Sequence, residues 1–71
     1  MTRIGDIFKK RSVNKAEVSR KTKIAASRIS KLSNDPSTEL KAKELYLISL
    51  AIDVDPGKLI LEIYSGEQLE D

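Results

Sequence analysis

Residues 15–34 read KAEVSRKTKIAASRISKLSN, and this stretch decides the fold. Core-facing side chains recur at helical spacing in each half of it, and the period breaks between the halves at Ile24. The recurring positions are Val18 and Thr22 in the first half, and Ile29 and Leu32 in the second. An apolar turn residue between two half-buried helices indicates that the second helix crosses the first. We therefore predict a helix-turn-helix.

Three signals mark the start of the first of these two helices. Asn14 is a preferred N-cap residue, and Glu17 stands three positions later, where it completes a capping box. Val13 and Val18 occupy the two positions of a hydrophobic staple. Because the three signals agree, we expect the helix to begin directly after Asn14.

One further helix is predicted before this motif, over residues 2–11, and another after it, over residues 39–52. Their core positions are Ile4, Ile7 and Phe8 in the earlier helix, and Leu45, Ile48 and Ile52 in the later one. Pro36 prevents the motif's second helix from running on, and Ser37 or Thr38 is the expected cap of the helix that follows. The later helix is apolar around most of its circumference, which predicts a central position.

A last helix is predicted from Pro56 to Tyr64. Its start signals are Asp55 as N-cap, Pro56 at the first helical position, and Val54 with Leu59 as a second hydrophobic staple. Gly66 supplies a stop, and residues 66–71 are expected to form a frayed acidic tail. The whole chain of 71 residues is thus expected to form one compact all-α domain of five helices, spanning residues 1–71.

The composition argues against several classes of function. Cysteine and histidine are both absent, which excludes disulfides, thiolate or imidazole metal sites and catalysis that relies on histidine. We expect no enzyme activity, no metal and no cofactor. No apolar run approaches the roughly 20 residues of a membrane span. The segment MTRIGDIFKKR carries most of its basic residues after its apolar ones, unlike a secretory signal, so a cytoplasmic protein is expected.

The charge is divided unevenly along the chain. Residues 1–31 hold ten Lys or Arg against two acids, about +8, whereas residues 32–71 hold three Lys against nine acids, about −6. The basic half contains most of the predicted motif. This distribution is typical of a protein that binds a polyanion, and nucleic acid is the common one. The alternative is a solvated basic face balanced by an acidic face.

Five short helices, of which the second and third form this motif, resemble the Cro-like, phage-repressor family of DNA-binding domains. The likeness extends from Ile4 to about Tyr64 and is best in two runs, VSRKTKIAASRISKL and LYLISLAIDVDPGKL. It implies a regulator of transcription, such as a repressor, that docks its third helix in the major groove of double-stranded DNA.

Three residues depart from the family's pattern. Ser19 stands where the family usually has Ala, at the closest approach of the two helices. Lys23 replaces the usual turn Gly, at a position that often needs a positive φ, so strain or a different turn is implied. Lys15 replaces a Gln that often touches DNA. Family contacts therefore cannot be copied residue by residue.

The resemblance and the chemistry of helix termini together suggest the contact residues. Candidate base contacts are Ala26, Ser27, Arg28 and Lys31, and candidate phosphate contacts are Asn14, Lys15, Asn34 and Ser37. Each has an alternative without DNA. Ser27 can cap the third helix instead, and Arg28 and Lys31 can be ordinary solvated residues.

The last helix carries more apolar surface than one small core can cover. A homodimer is therefore expected through Ile60, Ile63 and Tyr64, with two recognition helices about 34 Å apart. The alternative function is an antitoxin or protein-interaction module of the same fold. In that case the acidic, apolar C-terminal half would grip a partner protein such as a toxin.

Overall fold

Five α-helices follow one another in the predicted order in the computed structural model, which describes residues 1–69. They are α1 (Arg3–Lys10), α2 (Lys15–Thr22), α3 (Ala26–Asn34), α4 (Ala42–Ala51) and α5 (Pro56–Tyr64). No strand occurs among residues 1–69, so the all-α prediction is confirmed. The expected tail over residues 66–71 falls partly on residues 70 and 71, which lie outside the described part.

All five helices contribute to one hydrophobic core. The buried apolar residues are Ile4, Ile7, Phe8, Val18, Ile29, Leu32, Leu45, Ile48, Leu59 and Ile63. Phe8 is the anchor that the sequence predicts, because its side chain is only 1% exposed. Ile52, predicted for the core, follows the last residue of α4 and is half-buried. The turn residue Ile24 packs against the edge of this core.

The predicted capping box of α2 forms only in half. Asn14 Oδ1 accepts a hydrogen bond from the backbone N–H of Glu17 at 3.2 Å, so the N-cap is confirmed. The carboxylate of Glu17 does not return to Asn14 and instead binds the guanidinium of Arg20. The guanidinium of Arg20 offers this carboxylate a charged partner one turn along the helix. The same contact holds the pKa of Glu17 below its usual range.

Hydroxyl groups hold the turn between α2 and α3. Lys23 adopts a left-handed conformation with φ of 64°, as its position predicts. Ser19 Oγ donates to the carbonyl of Ile24 at 2.6 Å, and Thr22 Oγ1 accepts from the Ile24 N–H at 3.2 Å. These bonds fix the corner on both sides of Ile24. They also give Ser19 a role that alanine cannot fill.

The start of α4 was predicted wrongly. The helix begins at Ala42 after the N-cap Lys41, and neither Ser37 nor Thr38 caps it. Both donors of Ser37, its N–H and its hydroxyl, bind Asp35 Oδ1 at 2.9 and 2.7 Å and close a local turn. This turn competes with helix formation and delays the start. By contrast, α5 begins and ends where the sequence predicts, and Asp55 accepts from the Lys58 N–H at 3.1 Å.

Candidate nucleic-acid interface

Helix α3 presents one face to the core and one to solvent. The core face is formed by Ile29, Leu32 and Ser33, all buried. The opposite face is exposed, and we call it the α3 stripe: Ala26, Ser27, Ser30, Lys31 and Asn34. These positions repeat at the spacing of a helical turn, so they form a continuous surface. Four of the five side chains are small, which allows close approach by a large ligand.

Ser30 belongs to this surface, although it is not among the contacts predicted from the sequence. It stands four residues after Ala26 and is exposed. The helical period from Ala26 was the signal that would have found it. Ser27 does not cap α3, since the N-cap residue is Ala25 and no side chain bonds the free N–H groups there.

The C-terminal end of α3 is held by the start of α1. Thr2 donates twice, from its hydroxyl to the Leu32 carbonyl at 2.6 Å and from its N–H to the Ser33 carbonyl at 3.0 Å. The same hydroxyl accepts from the Gly5 N–H at 3.0 Å and so caps α1. One threonine therefore joins the start of one helix to the end of the other.

The N-terminal end of α3 is held by α4 through Arg28. Its Nε and Nη2 each donate to one oxygen of the Glu44 carboxylate at 2.8 Å. Nη2 also donates to the carbonyl of Glu39 at 2.7 Å. The Glu44 side chain is only 14% exposed, and the Arg28 guanidinium holds the pKa of this carboxyl below its usual range. Arg28, placed in the base-facing set from sequence, thus points its donors at α4 in this structure.

The four predicted phosphate contacts are all exposed but differ in what their donors do. Lys15 and Asn34 lie at the start of α2 and the end of α3, respectively. Asn14 uses its Oδ1 as the cap of α2, and this bond does not use the donors of its side-chain amide N–H₂ group. Ser37 gives both donors to Asp35, and these bonds lower the pKa of the Asp35 carboxyl. Ser37 is therefore the least suited of the four to hold a phosphate.

Exposed basic side chains occur on α2, in the turn after it and in the α3 stripe. Lys15, Lys21 and Lys23 are exposed on α2 and the turn, and Lys31 lies in the stripe itself. An exposed helix face, together with exposed cations on the same helix-turn-helix, suits a nucleic-acid groove and its phosphates.

A comparison with protein families also indicates nucleic-acid binding. A family model described as a Cro/C1-type HTH DNA-binding domain matches residues 3–61. The chain belongs to this family. Searches of curated proteins and of solved structures return no significant match. The five helices described above are thus those of a Cro/C1-type DNA-binding domain, and DNA is its partner.

The expected dimer residues of this Cro/C1-type domain do not share one surface. Ile60 and Tyr64 are 45% and 44% exposed, whereas Ile63 is 9% exposed and belongs to the core. Leu61, which is not among the predicted dimer residues, is 72% exposed. The apolar surface of α5 is therefore formed by Ile60, Leu61 and Tyr64. A second exposed apolar pair, Tyr46 and Leu50, lies on α4.

Residues 1–69 contain no group of three or more side chains suited to holding a metal ion. None of the helices in that range has the length and apolar character needed to cross a bilayer.

Proposed function

We propose that this DNA-binding domain is a sequence-specific transcriptional regulator that lays the α3 stripe in the major groove. The observation that carries the proposal is the stripe itself, a continuous exposed face of α3 that runs beside its buried face. An α-helix fits the major groove of B-form DNA, where each base pair presents a distinct pattern of donors, acceptors and methyl groups. Family membership supports the mode of docking.

The base-facing set comprises Ala26, Ser27, Ser30 and Lys31. The Ala26 methyl offers van der Waals contact to a thymine methyl, and the two serine hydroxyls accept or donate to any base edge. Lys31, one turn further along, reaches guanine O6 and N7 or a phosphate. Because only one of these side chains is long, direct readout falls on few base pairs. Base contact by Arg28 stays a prediction, and it would require the guanidinium to leave Glu44.

Phosphate contacts hold the domain in register. Lys15 at the N-terminus of α2 combines its own charge with the free N–H groups of the helix start, an arrangement that favours anions. Asn34 at the end of α3, Asn14 at the cap of α2 and Ser37 in the following loop are the other predicted contacts. We rank Ser37 last because Asp35 occupies its donors and adds a negative charge there.

The proposed functional unit is a homodimer that pairs the α5 surfaces of two copies. Ile60, Leu61 and Tyr64 supply the exposed apolar area, and Ile63 supports them from the core. A two-fold axis would place two α3 helices about 34 Å apart, one helical turn of DNA. The binding site would then be palindromic.

A second candidate function is supported by the apolar pair on α4. Tyr46 and Leu50 are 53% and 56% exposed, one helical turn apart. A domain that acts as an antitoxin or assembly subunit would cover them with a partner protein such as a toxin. This function does not exclude DNA binding. It predicts that the domain also forms a stable complex with a partner protein.

Selection of binding sites from random duplex DNA tests the leading proposal. We expect recovery of one short palindromic site with few strongly specified base pairs per half. Enrichment of no sequence over the starting pool, at a salt concentration where the protein still binds DNA, would overturn the proposal of specific readout.

A further inference from the structure

We propose that the ion pair between Arg28 and Glu44 sets the orientation of α3 in the groove, so that Arg28 is a positioning residue for DNA recognition. The inference deepens the proposed function and rests on it. It assigns the selectivity of the domain partly to a residue on α4, outside the helix-turn-helix.

The contact joins two elements that the chain brings together across a loop. Arg28 is in the first turn of α3, and Glu44 is in the first turn of α4, sixteen residues later. Bidentate pairing fixes the plane of the guanidinium relative to the carboxylate, so it restrains angle as well as distance. The bond from Arg28 Nη2 to the Glu39 carbonyl adds a second anchor, in the loop.

Glu44 is itself held in place. Its Oε1 accepts from the Lys41 N–H at 3.0 Å, which ties it to the start of α4. Its side chain is 14% exposed and that of Arg28 is 30% exposed, so solvent competes with this pair less than with the other interhelical pair. That other pair joins Arg11, the residue that follows α1, to Glu62 in α5, and both of its side chains are more than 40% exposed.

The two ends of α3 are therefore fixed by different polar contacts. Thr2 binds the last carbonyls of the helix, and Arg28 binds α4 from its first turn. The N-terminal part of the α3 stripe, with Ala26 and Ser27, lies in the same turn as Arg28. Loss of the pair would free this turn to tilt while the distant end stays in place, and small side chains read bases only at close range.

A direct base contact by Arg28 would reverse the expected effect of a Glu44 substitution on DNA recognition. If Arg28 reads guanine, Glu44 competes with DNA for the guanidinium, and removing the carboxylate charge should preserve or improve recognition. If Arg28 acts through Glu44, removing that charge should damage recognition as much as removing Arg28.

The experiment measures affinity for the selected duplex and for a scrambled duplex of equal length and composition. The variants are Glu44→Gln, Arg28→Ala, the double variant, and Glu62→Gln as the matched control. Glutamine preserves the size of Glu44 and its acceptor for the Lys41 N–H. Glu62→Gln removes the same charge and also breaks an interhelical pair with an arginine, but one that does not touch α3. Circular dichroism checks that each variant is folded. Arg28→Lys is a second variant, which retains the positive charge but cannot make the bidentate contact with Glu44.

We expect Glu44→Gln to lower the ratio of selected to scrambled affinity about tenfold, in line with coupling energies between contacting residues. Arg28→Ala should lower it by a similar factor, the double variant no further, and Glu62→Gln should leave it unchanged. A preserved or raised ratio in Glu44→Gln overturns the inference alone, as does a lower melting temperature with an unchanged ratio. If the wild-type protein itself shows no preference for any duplex, the proposed function fails, and the inference fails with it.

Discussion

Gly5 and Ser33 touch backbone to backbone where α1 crosses the end of α3. A Cβ atom built on Gly5 would lie only 2.1 Å from the carbonyl oxygen of Ser33. That carbonyl already accepts the Thr2 N–H at 3.0 Å and cannot move freely. Glycine is thus required here by the closeness of the two helices, because no other residue fits between them.

Gly5→Ala should destabilise the domain by about 3 kcal/mol, since an inserted methyl group forces two packed backbones apart. Chemical denaturation of the two proteins measures the difference in free energy of unfolding. Gly57→Ala is the matched control, because its Cβ would lie 3.1 Å from Asp55 Oδ2, the cap of α5, so a side chain rather than a packed backbone has to shift by a few tenths of an ångström. Equal stability of the Gly5→Ala variant and the wild type would contradict the close approach.

Lys23→Gly should stabilise the domain by about 1 kcal/mol, because glycine adopts a positive φ without the steric cost that Lys23 bears at 64°. Lys21→Gly, two residues earlier and inside α2, should instead destabilise it by about 1 kcal/mol. Both changes remove one lysine, so the pair separates backbone strain from charge. Thermal unfolding of both variants checks the opposite signs, and a loss of stability in Lys23→Gly would show that the turn is not strained.

The sequence was enough to predict the helices, because their signals are local. Asn14 and Asp55 cap the helices that they precede, and the apolar periods mark the faces that are buried. The start of α4 was mispredicted because a competing local turn at Asp35 captured Ser37. Local patterns cannot say which of two possible hydrogen bonds a serine will make.

The contact between Arg28 and Glu44 could not be predicted, since the two residues lie sixteen positions apart across an irregular loop. Only the fold brings Glu44 to Arg28. The same holds for α5, where Ile60 and Ile63 look equally apolar in the sequence. Which of them faces the core depends on the rotation of the helix against its neighbours, and the structure buries Ile63 and exposes Ile60.

Glu44→Gln should reduce the loss of folding stability that occurs at acidic pH. The Arg28 guanidinium depresses the pKa of Glu44 in the folded state, so this carboxylate stabilises the fold above its ordinary pKa of 4.5. That contribution is lost as the pH falls below this value and through the depressed pKa of the folded state. Melting temperatures measured from neutral pH down to about pH 2.5 should fall less in the variant than in the wild type. Parallel curves would contradict a charged interaction between Arg28 and Glu44.

Ile60→Asp should weaken both self-association and affinity for a palindromic duplex, because it places a charge on the proposed dimer surface of α5. Sedimentation equilibrium and DNA titration measure the two effects. Leu50→Asp is the control, since Leu50 is exposed to a similar extent on α4. If the control dissociates the protein and Ile60→Asp does not, the dimer uses α4 instead.

The proposed contact of the α3 stripe with the bases of DNA predicts different effects for two charge reversals, one inside the stripe and one on α5. Lys31 lies in the stripe and Lys58 lies on α5, and both are exposed. The measurement is the affinity of Lys31→Glu and of Lys58→Glu for the selected and the scrambled duplex, because both changes alter the net charge equally. We predict that Lys31→Glu lowers the ratio of the two affinities at least about tenfold, the range of a base contact, while Lys58→Glu leaves it unchanged. Equal effects of the two reversals on this ratio would contradict the proposed contact.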